Sequence, residues 1–316
     1  MTAGREAADP DFEMLADNAA EAGLPWKGPP VVRRVEVEVA PGRPVSALQW
    51  GSGPAEMVLL HGGAQNAHTW DTVALVVDRP LVALDLPGHG HSGWRGDGDY
   101  QVASLATDVA AAIGRLAPRA ELVVGMSLGG LVALAVAAEH PELVRRLALV
   151  DITPGTDSAK TEPILAFLSG PESFASFEEM LARTVAFNPR RSVSSLRRGV
   201  VHNAREGPDG RWRWRWDPAV AQRSRPAAAG FGSLWPAVDR LGAPLVLLRG
   251  ERSRVVTDDD VAELRRRQPT AQVEVIAGAG HSIQGDQPVA LAEALARVAA
   301  GRARRPGSGG GAPSLP

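Results

Sequence analysis

Cysteine is wholly absent from the 316 residues. That excludes disulfides, thiolate metal sites and a cysteine nucleophile. Lysine is nearly absent as well: Lys27 and Lys160 are the only two, and arginine carries the rest of the positive charge. An excess of either sign is missing too. Lys+Arg total 34 against 36 Asp+Glu, a formal net charge of −2, whereas a protein that binds nucleic acid by electrostatics shows a strongly basic face. No apolar run is long enough for a membrane. The longest uncharged apolar stretch, residues 122–138, falls just short of the ~18 residues a spanning helix needs. Gly125, Ser127, Gly129 and Gly130 also interrupt it. The first residues turn acidic at Asp9, Asp11, Glu13 and Asp17, without the apolar core of a secretory signal. The expectation is a cytoplasmic protein with neither nucleic acid nor a membrane as partner.

What is present suits a large globular fold. Hydrophobic residues make up 44% and charged residues 22%, the mixture of an ordinary soluble protein. A chain of this length buries about three quarters of its unfolded surface and needs no covalent staples. Residues 1–30 are rich in alanine and acids and end in Pro25, Pro29 and Pro30, so a short helix near 11–22 reads as an extension. Residues 31–39 alternate apolar and charged side chains, as a half-exposed strand does. Residues 45–50 are their partner across Pro41-Gly42-Arg43-Pro44.

The pattern then changes. Residues 57–60, 81–84, 122–124 and 147–150 are short, continuously apolar runs, as expected of parallel strands buried on both faces. Helix-like segments separate them at 69–77, 102–116 and 128–139, with Pro118 and Pro141 as stops. From 153 to about 236 the strand rhythm disappears. Residues 174–187 and 192–203 read as amphipathic helices, and 211–216 alternate Arg and Trp. Buried-strand patterns return at 245–248 and 273–276 around a helix at 258–268, and a helix at 290–299 closes the pattern. The fold class expected is α/β, a mostly parallel central sheet flanked by helices. The core is divided between 31–151 and 241–300, with a mainly helical insertion at 152–240. Residues 1–30 form an N-terminal extension, and the Gly-, Arg- and Pro-rich residues 301–316 a disordered tail.

Gly125-Met126-Ser127-Leu128-Gly129 has the spacing G-x-S-x-G, between a buried strand and a helix. Small residues on either side let the chain turn sharply and expose the Ser127 hydroxyl at the C-terminal edge of the sheet. A serine nucleophile needs an imidazole on a neighbouring loop. His281, in Gly278-Ala279-Gly280-His281-Ser282, follows the last strand and is the candidate base. His61-Gly62-Gly63-Ala64 follows the strand at 57–60. Its turn can present the N–H of Gly63, which with the N–H of Leu128 would hold an oxyanion. His61 itself reads as a tie between turns.

Together with Asp85-Leu86-Pro87-Gly88-His89-Gly90-His91-Ser92, which is similar to a D-x-P-G-x-G-x-S loop, these motifs resemble the α/β-hydrolase fold superfamily, in particular its capped serine hydrolases and esterases. The resemblance covers roughly 31–299. It implies an α/β-hydrolase core with a cap at 152–240, a structural role for Asp85, and acyl chemistry without metal or organic cofactor. It also implies a triad acid just after the strand at 245–248. There the chain reads Arg249-Gly250-Glu251-Arg252-Ser253-Arg254, and a cation cannot stabilise an imidazolium at His281. A second location in the family is the end of the strand after the elbow helix, where Asp151 stands. It ends an apolar strand and so needs a partner. Glu251 and the run Asp258-Asp259-Asp260 compete, although three acids suit a helix N-terminus better.

The insertion holds Phe167, Phe174, Phe177, Phe187, Trp212, Trp214, Trp216 and Phe231. Any one of them is ordinarily packing, but collectively they suggest an apolar pocket for an acyl substrate. The Arg/Trp alternation fits a hairpin strand with Trp inward and Arg outward better than a nucleic-acid surface. The reading is a serine hydrolase with Ser127, His281 and Asp151 as triad, acting on an ester-like small molecule (thioester, lactone or amide included) through an acyl-enzyme. The alternatives are a C–C bond hydrolase or lyase using the same Ser/His site, and a non-catalytic ligand-binding protein on this scaffold. Dehalogenase and epoxide hydrolase relatives carry aspartate where Ser127 stands.

Overall fold

In the computed structural model, which describes residues 9–223 and 231–302, period-two alternation builds the first hairpin. Strand β1 (Val32–Ala40) exposes Arg33, Glu36 and Glu38 while Val35 and Val37 pack inward. It pairs antiparallel with β2 (Arg43–Trp50). β3 (Met57–Leu60), β4 (Leu81–Leu84), β5 (Leu122–Met126) and β6 (Leu147–Val150) are buried along their whole length. Among the described residues of the insertion lie three short strands: β7 (Ser173–Phe174), β8 (Ala204–Glu206) and β9 (Trp212–Trp214). β10 (Leu245–Gly250) and β11 (Gln272–Ile276) complete the main sheet. Its order is β1-β2-β4-β3-β5-β6-β10-β11. Every pairing from β4 to β11 is parallel, and only the β1 and β2 pairings are antiparallel.

The continuous apolar runs are explained by two cores, because successive side chains of a strand leave on opposite faces. Val58, Leu60, Val123 and Leu147 join one core; Met57, Leu59, Leu122 and Ala148 join the other. Helix α1 (Leu15–Glu21) and helix α2 (Asp71–Val77) cover the second face. α3 (Val102–Leu116) and α4 (Leu128–Glu139) cover the first. α3 turns a stripe of Leu105, Val109 and Ile113 to the sheet, whereas α4 is buried nearly all round, as a helix without a polar face must be.

The insertion contributes α5 (Ser158–Leu168), α6 (Phe177–Phe187), α7 (Val193–Asn203), α8 (Pro218–Arg223) and α9 (Trp235–Asp239). Serine side chains cap two of these: Ser176 starts α6 and Ser192 starts α7. α6 and α7 pack with the sheet β7-β9-β8 around Phe174, Met180, Leu196 and Trp214. In β9 and beyond, Trp214 and Trp216 are buried while Arg211 is exposed and Arg213 pairs with Asp209. α10 (Asp258–Arg267) has a Thr257/Asp260 capping box, acids in its first turn and arginines in its last. α11 (Ile283–Asp286) and α12 (Pro288–Ala299) follow β11.

Four features depart from the sequence reading. α1 is no loose extension: Leu15 and Ala19 are buried in the second core. The run at 273–276 is an edge strand rather than a buried one, with Val275 exposed, because a short apolar run does not say how many neighbours its strand has. α5 went unread because Pro163 interrupts its interior. β7 and β8 are too short to carry a period. The tail expected to be disordered lies outside the described residues apart from 301 and 302. Among the described residues no helix is long and apolar enough to cross a membrane.

Candidate active site

β5 ends at Met126 and α4 begins at Leu128, so Ser127 alone reverses the chain. Its backbone sits at φ 50°, ψ −120°, a conformation that L residues avoid and that close packing must enforce. The glycines make that packing. A Cβ at Gly125 would lie 2.3 Å from the Gly129 carbonyl oxygen, and one at Gly129 would lie 2.4 Å from that of His61. α4 can therefore press against the ends of β5 and β3, and Ser127 is left lining a pocket.

The ends of β6, β10 and β11 converge beside it. Asp151 directly follows β6, with φ 51° and no solvent exposure. A buried carboxylate without partners would cost several kcal/mol, roughly the penalty of any uncompensated buried ion, and here both oxygens have partners. Oδ1 accepts the Gly250 N–H at 2.9 Å, and Oδ2 lies 2.8 Å from His281 Nδ1. The Ser253 hydroxyl donates to the same Oδ2. Arg254, one residue on, is exposed, so its charge does not oppose an imidazolium at His281. The competing acids lie elsewhere. Glu251 is exposed and accepts the Gly278 N–H at 2.8 Å. Asp260 caps α10 and pairs with Lys160. The turn after β6 is held by Thr153, which accepts from the Gly155 N–H, rather than by Asp151.

The turn after β3 approaches Ser127 from the other side. A Cβ at Gly62 would meet Ser127 Cβ at 3.3 Å, and one at Gly63 would lie 3.9 Å from Leu128 Cδ2. Gly62 donates its N–H to Gln65 Oε1. The N–H groups of Gly63 and Leu128 have no partner among the described residues, and both residues line the pocket. His61 is fully buried; its Nδ1 donates to the Gly62 carbonyl at 2.7 Å and its Nε2 accepts the Leu86 N–H at 2.9 Å. Burial pushes its pKa down, in keeping with a neutral ring in that role. Asp85 gathers the Ala67 and His91 N–H groups and the Arg34 guanidinium, which pins the two loops together.

The pocket has a volume of about 880 Å³ and lies between the sheet edge and the insertion. Ser127, Gly63 and His281 form its floor, and Leu165, Phe167, Phe187 and Trp214 belong to its apolar wall. Phe167 stacks on Phe187 at 4.5 Å. Five of the insertion's nine Phe and Trp residues do not line the pocket: Phe174 and Trp216, for example, are insertion core. Reading the sequence missed four contributors. Ser253 stood out only as a lost acid, the α1 residues Asn18 and Glu21 reach the pocket, and Arg191 sits in its lining.

One group has the chemistry of a metal site. Ligand atoms of Asp11, His68 and His202 lie within 4.8 Å of one another. The Arg34 guanidinium fills that space, 2.7 Å from Asp11 and 3.0 Å from His68 Nε2, and His68 Nδ1 is 2.9 Å from Asp71. A cation is already supplied by the protein, so the residues present do not fit a resident metal ion.

Comparison with known proteins agrees with this architecture. A profile of the alpha/beta hydrolase family matches residues 57–294. The chain is 46% identical over 296 residues to the esterase Rv0045c of Mycobacterium tuberculosis, covering 91% of this chain and 95% of that one. A structure of that esterase, reported with its inhibition by transition metals, matches with a TM-score of 0.81 at 45% identity, over 92% of this chain and 99% of the other. The 3-hydroxybutyrate-oligomer hydrolase of Cupriavidus necator is 30% identical over 260 residues, 77% of this chain and 89% of its own. The 2-(acetamidomethylene)succinate hydrolase of Mesorhizobium japonicum is 27% identical over 270 residues, 84% and 94% of the two chains.

Proposed function

The chain belongs to the alpha/beta hydrolase family, and from that premise we propose that it hydrolyses carboxylic esters through an acyl-enzyme on Ser127. The observation that carries the reading is the 2.8 Å contact of His281 Nδ1 with buried Asp151, in the pocket that Ser127 lines. With its Nδ1 proton committed to Asp151, His281 offers a lone pair at Nε2. It takes the Ser127 proton as Oγ attacks the ester carbonyl carbon. The carbonyl oxygen gains negative charge, which the N–H groups of Gly63 and Leu128 stabilise. Collapse expels the alcohol, protonated by His281. Water, deprotonated in turn by His281, releases the acid and restores Ser127. Asp151 stabilises the transient imidazolium, and its bonds to Gly250 and Ser253 hold it in position.

In this reading residues 152–240 are the cap, and the Phe167, Phe187 and Trp214 wall receives the apolar part of the acyl compound. The named substrates of the relatives differ widely, from 3-hydroxybutyrate oligomers to 2-(acetamidomethylene)succinate, so the wall rather than the family decides the acyl group. A fluorophosphonate probe followed by peptide mass spectrometry tests the mechanism. Label on Ser127, with p-nitrophenyl butyrate hydrolysis lost in Ser127→Ala, is the expected result. Folded protein that takes no label refutes it.

A further inference from the structure

Among the described residues most buried or half-buried arginines meet a carboxylate, and Arg183 and Arg215 meet backbone carbonyls instead. Arg34 meets Asp11 and Asp85, Arg95 meets Asp97 and Asp108, and Arg198 meets Glu21. Arg191, on the turn that leads into α7, is different. The one hydrogen bond of its guanidinium among the described residues runs from Nη2 to Ser195 Oγ at 2.9 Å. Its Nε is buried without a partner, and among the described residues no carboxylate forms an ion pair with it. The acids that influence it are engaged elsewhere: Glu21 with Arg198 and Ser192, and Asp286 with the Gly280 N–H at 2.8 Å. Burial pulls the Arg191 pKa down; Asp286 and Glu21 act against that, and Arg198 adds to it. A guanidinium nevertheless stays charged, so the pocket holds a partly desolvated cation whose compensation is incomplete.

Its place is as telling as its lack of partners. The guanidinium lies flat against the backbone of Gly285, where a Cβ would come within 2.6 Å of both Cζ and Nη1. Gly285 belongs to α11, four residues after His281, and both line the pocket with Arg191. Gly285 thus fixes the plane of the guanidinium at the pocket wall; Nε is shielded from solvent, Nη2 is held by Ser195, and Nη1 has no acceptor among the described residues. A carboxylate placed at the Nη1 end would supply the missing acceptor and the missing negative charge.

We propose that Arg191 forms a carboxylate-binding subsite, so that the preferred substrates are esters bearing a second, free carboxylate group. This rests on the ester-hydrolase reading and narrows it. The apolar wall takes the hydrocarbon part, while the fixed cation orients the charged end and holds the ester carbonyl over Ser127.

Two matched pairs of chromogenic esters test it. Mono-p-nitrophenyl glutarate against p-nitrophenyl butyrate places the charge on the acyl side; 3-butyryloxy-4-nitrobenzoate against o-nitrophenyl butyrate places it on the leaving group. In at least one pair the charged ester should have the higher kcat/KM. That ratio should fall about 10- to 100-fold in Arg191→Met, the size of one charge-assisted contact, through KM more than kcat, and recover in part in Arg191→Lys. Glutarate should bind Ser127→Ala in calorimetry and fail to bind Ser127→Ala/Arg191→Met. Preference for the neutral ester in both pairs overturns the subsite, as does an equal loss on charged and neutral esters in Arg191→Met. If Ser127 labelling and neutral-ester turnover persist without any charge preference, only the subsite is wrong. If labelling and turnover are absent while glutarate binds through Arg191, the subsite stands and the ester-hydrolase reading falls.

Discussion

Asp151→Asn is the most discriminating single change, because the structure dictates how the amide must sit. The Gly250 N–H points at Oδ1 from 2.9 Å, so the amide oxygen has to occupy that position; two donors facing each other there would leave a buried group unsatisfied. The amide NH2 then faces His281 Nδ1 and Ser253 Oγ. The serine hydroxyl can rotate and accept, but His281 can accept only with its proton moved to Nε2. That tautomer has no lone pair for the Ser127 proton. A triad frozen in the wrong tautomer loses about 10⁴-fold in turnover, roughly 5.5 kcal/mol of transition-state stabilisation. The assay is kcat on p-nitrophenyl butyrate, alongside a thermal melt showing the variant folded. Ser253→Ala removes one donor to Asp151 while leaving the carboxylate and should cost far less, on the order of tenfold or below. Folded Asp151→Asn with a tenth or more of the parent activity refutes the reasoning, most directly if Glu251→Gln is the variant that fails.

Three further outcomes follow from packing and charge. Gly129→Ala places a methyl 2.4–2.5 Å from the carbonyl oxygens of His61 and Leu60. Overpacking against backbone should lower stability by about 1–3 kcal/mol in urea melts and misplace the elbow enough to reduce activity as well. Asp108 on α3 is buried between Arg95 and Arg43; in Asp108→Ala, Arg95 keeps Asp97 and Arg43 keeps partial access to water, so the cost should be about 1.5–3 kcal/mol by the same measurement. The third concerns pH. Burial pulls the His68 pKa down, but Asp71 and Asp11 on either side outweigh it and hold it up to about 9. A folded pKa above the unfolded ~6.5 means that the stabilisation is complete below pH ~6.5 and is lost as pH rises through about 9, with a ceiling of about 3 kcal/mol. Denaturation midpoints at pH 6 and pH 9.5 should show the fall, and His68→Gln should flatten it. An unchanged slope in that variant rules out His68 as the cause.

Much of the architecture is legible because it follows from local periodicity. Fully apolar tetrads such as 57–60 and 147–150, set between helix-like segments, read as strands covered on both faces, and they are. The glycine pair around Ser127 announces a strand-to-helix turn, and the glycines flanking His281 a loop close to its neighbours. The missing elements lacked such a signal. α5 carries Pro163, and the two- and three-residue strands β7 and β8 exist through their pairing with β9. α1 looked like an appendage because two buried residues, Leu15 and Ala19, are too few to register as an apolar face.

The sequence by itself determined the sheet, the elbow and the identity of the groups available for chemistry, since composition and residue spacing depend on the chain alone. Which acid faces His281 was decided only in three dimensions. Ser253 and Arg254 are neighbours in one loop, yet the first turns its hydroxyl to Asp151 and the second points to solvent. No periodicity governs the direction of a loop side chain; the backbone angles imposed by β10 and its packing do. The same holds for Arg191. Its charge is written in the sequence, but that no carboxylate among the described residues forms an ion pair with it depends on where Glu21, Asp286 and Gly285 come to rest. Such compensation is settled by distances between segments far apart in the chain, and only the tertiary structure sets those.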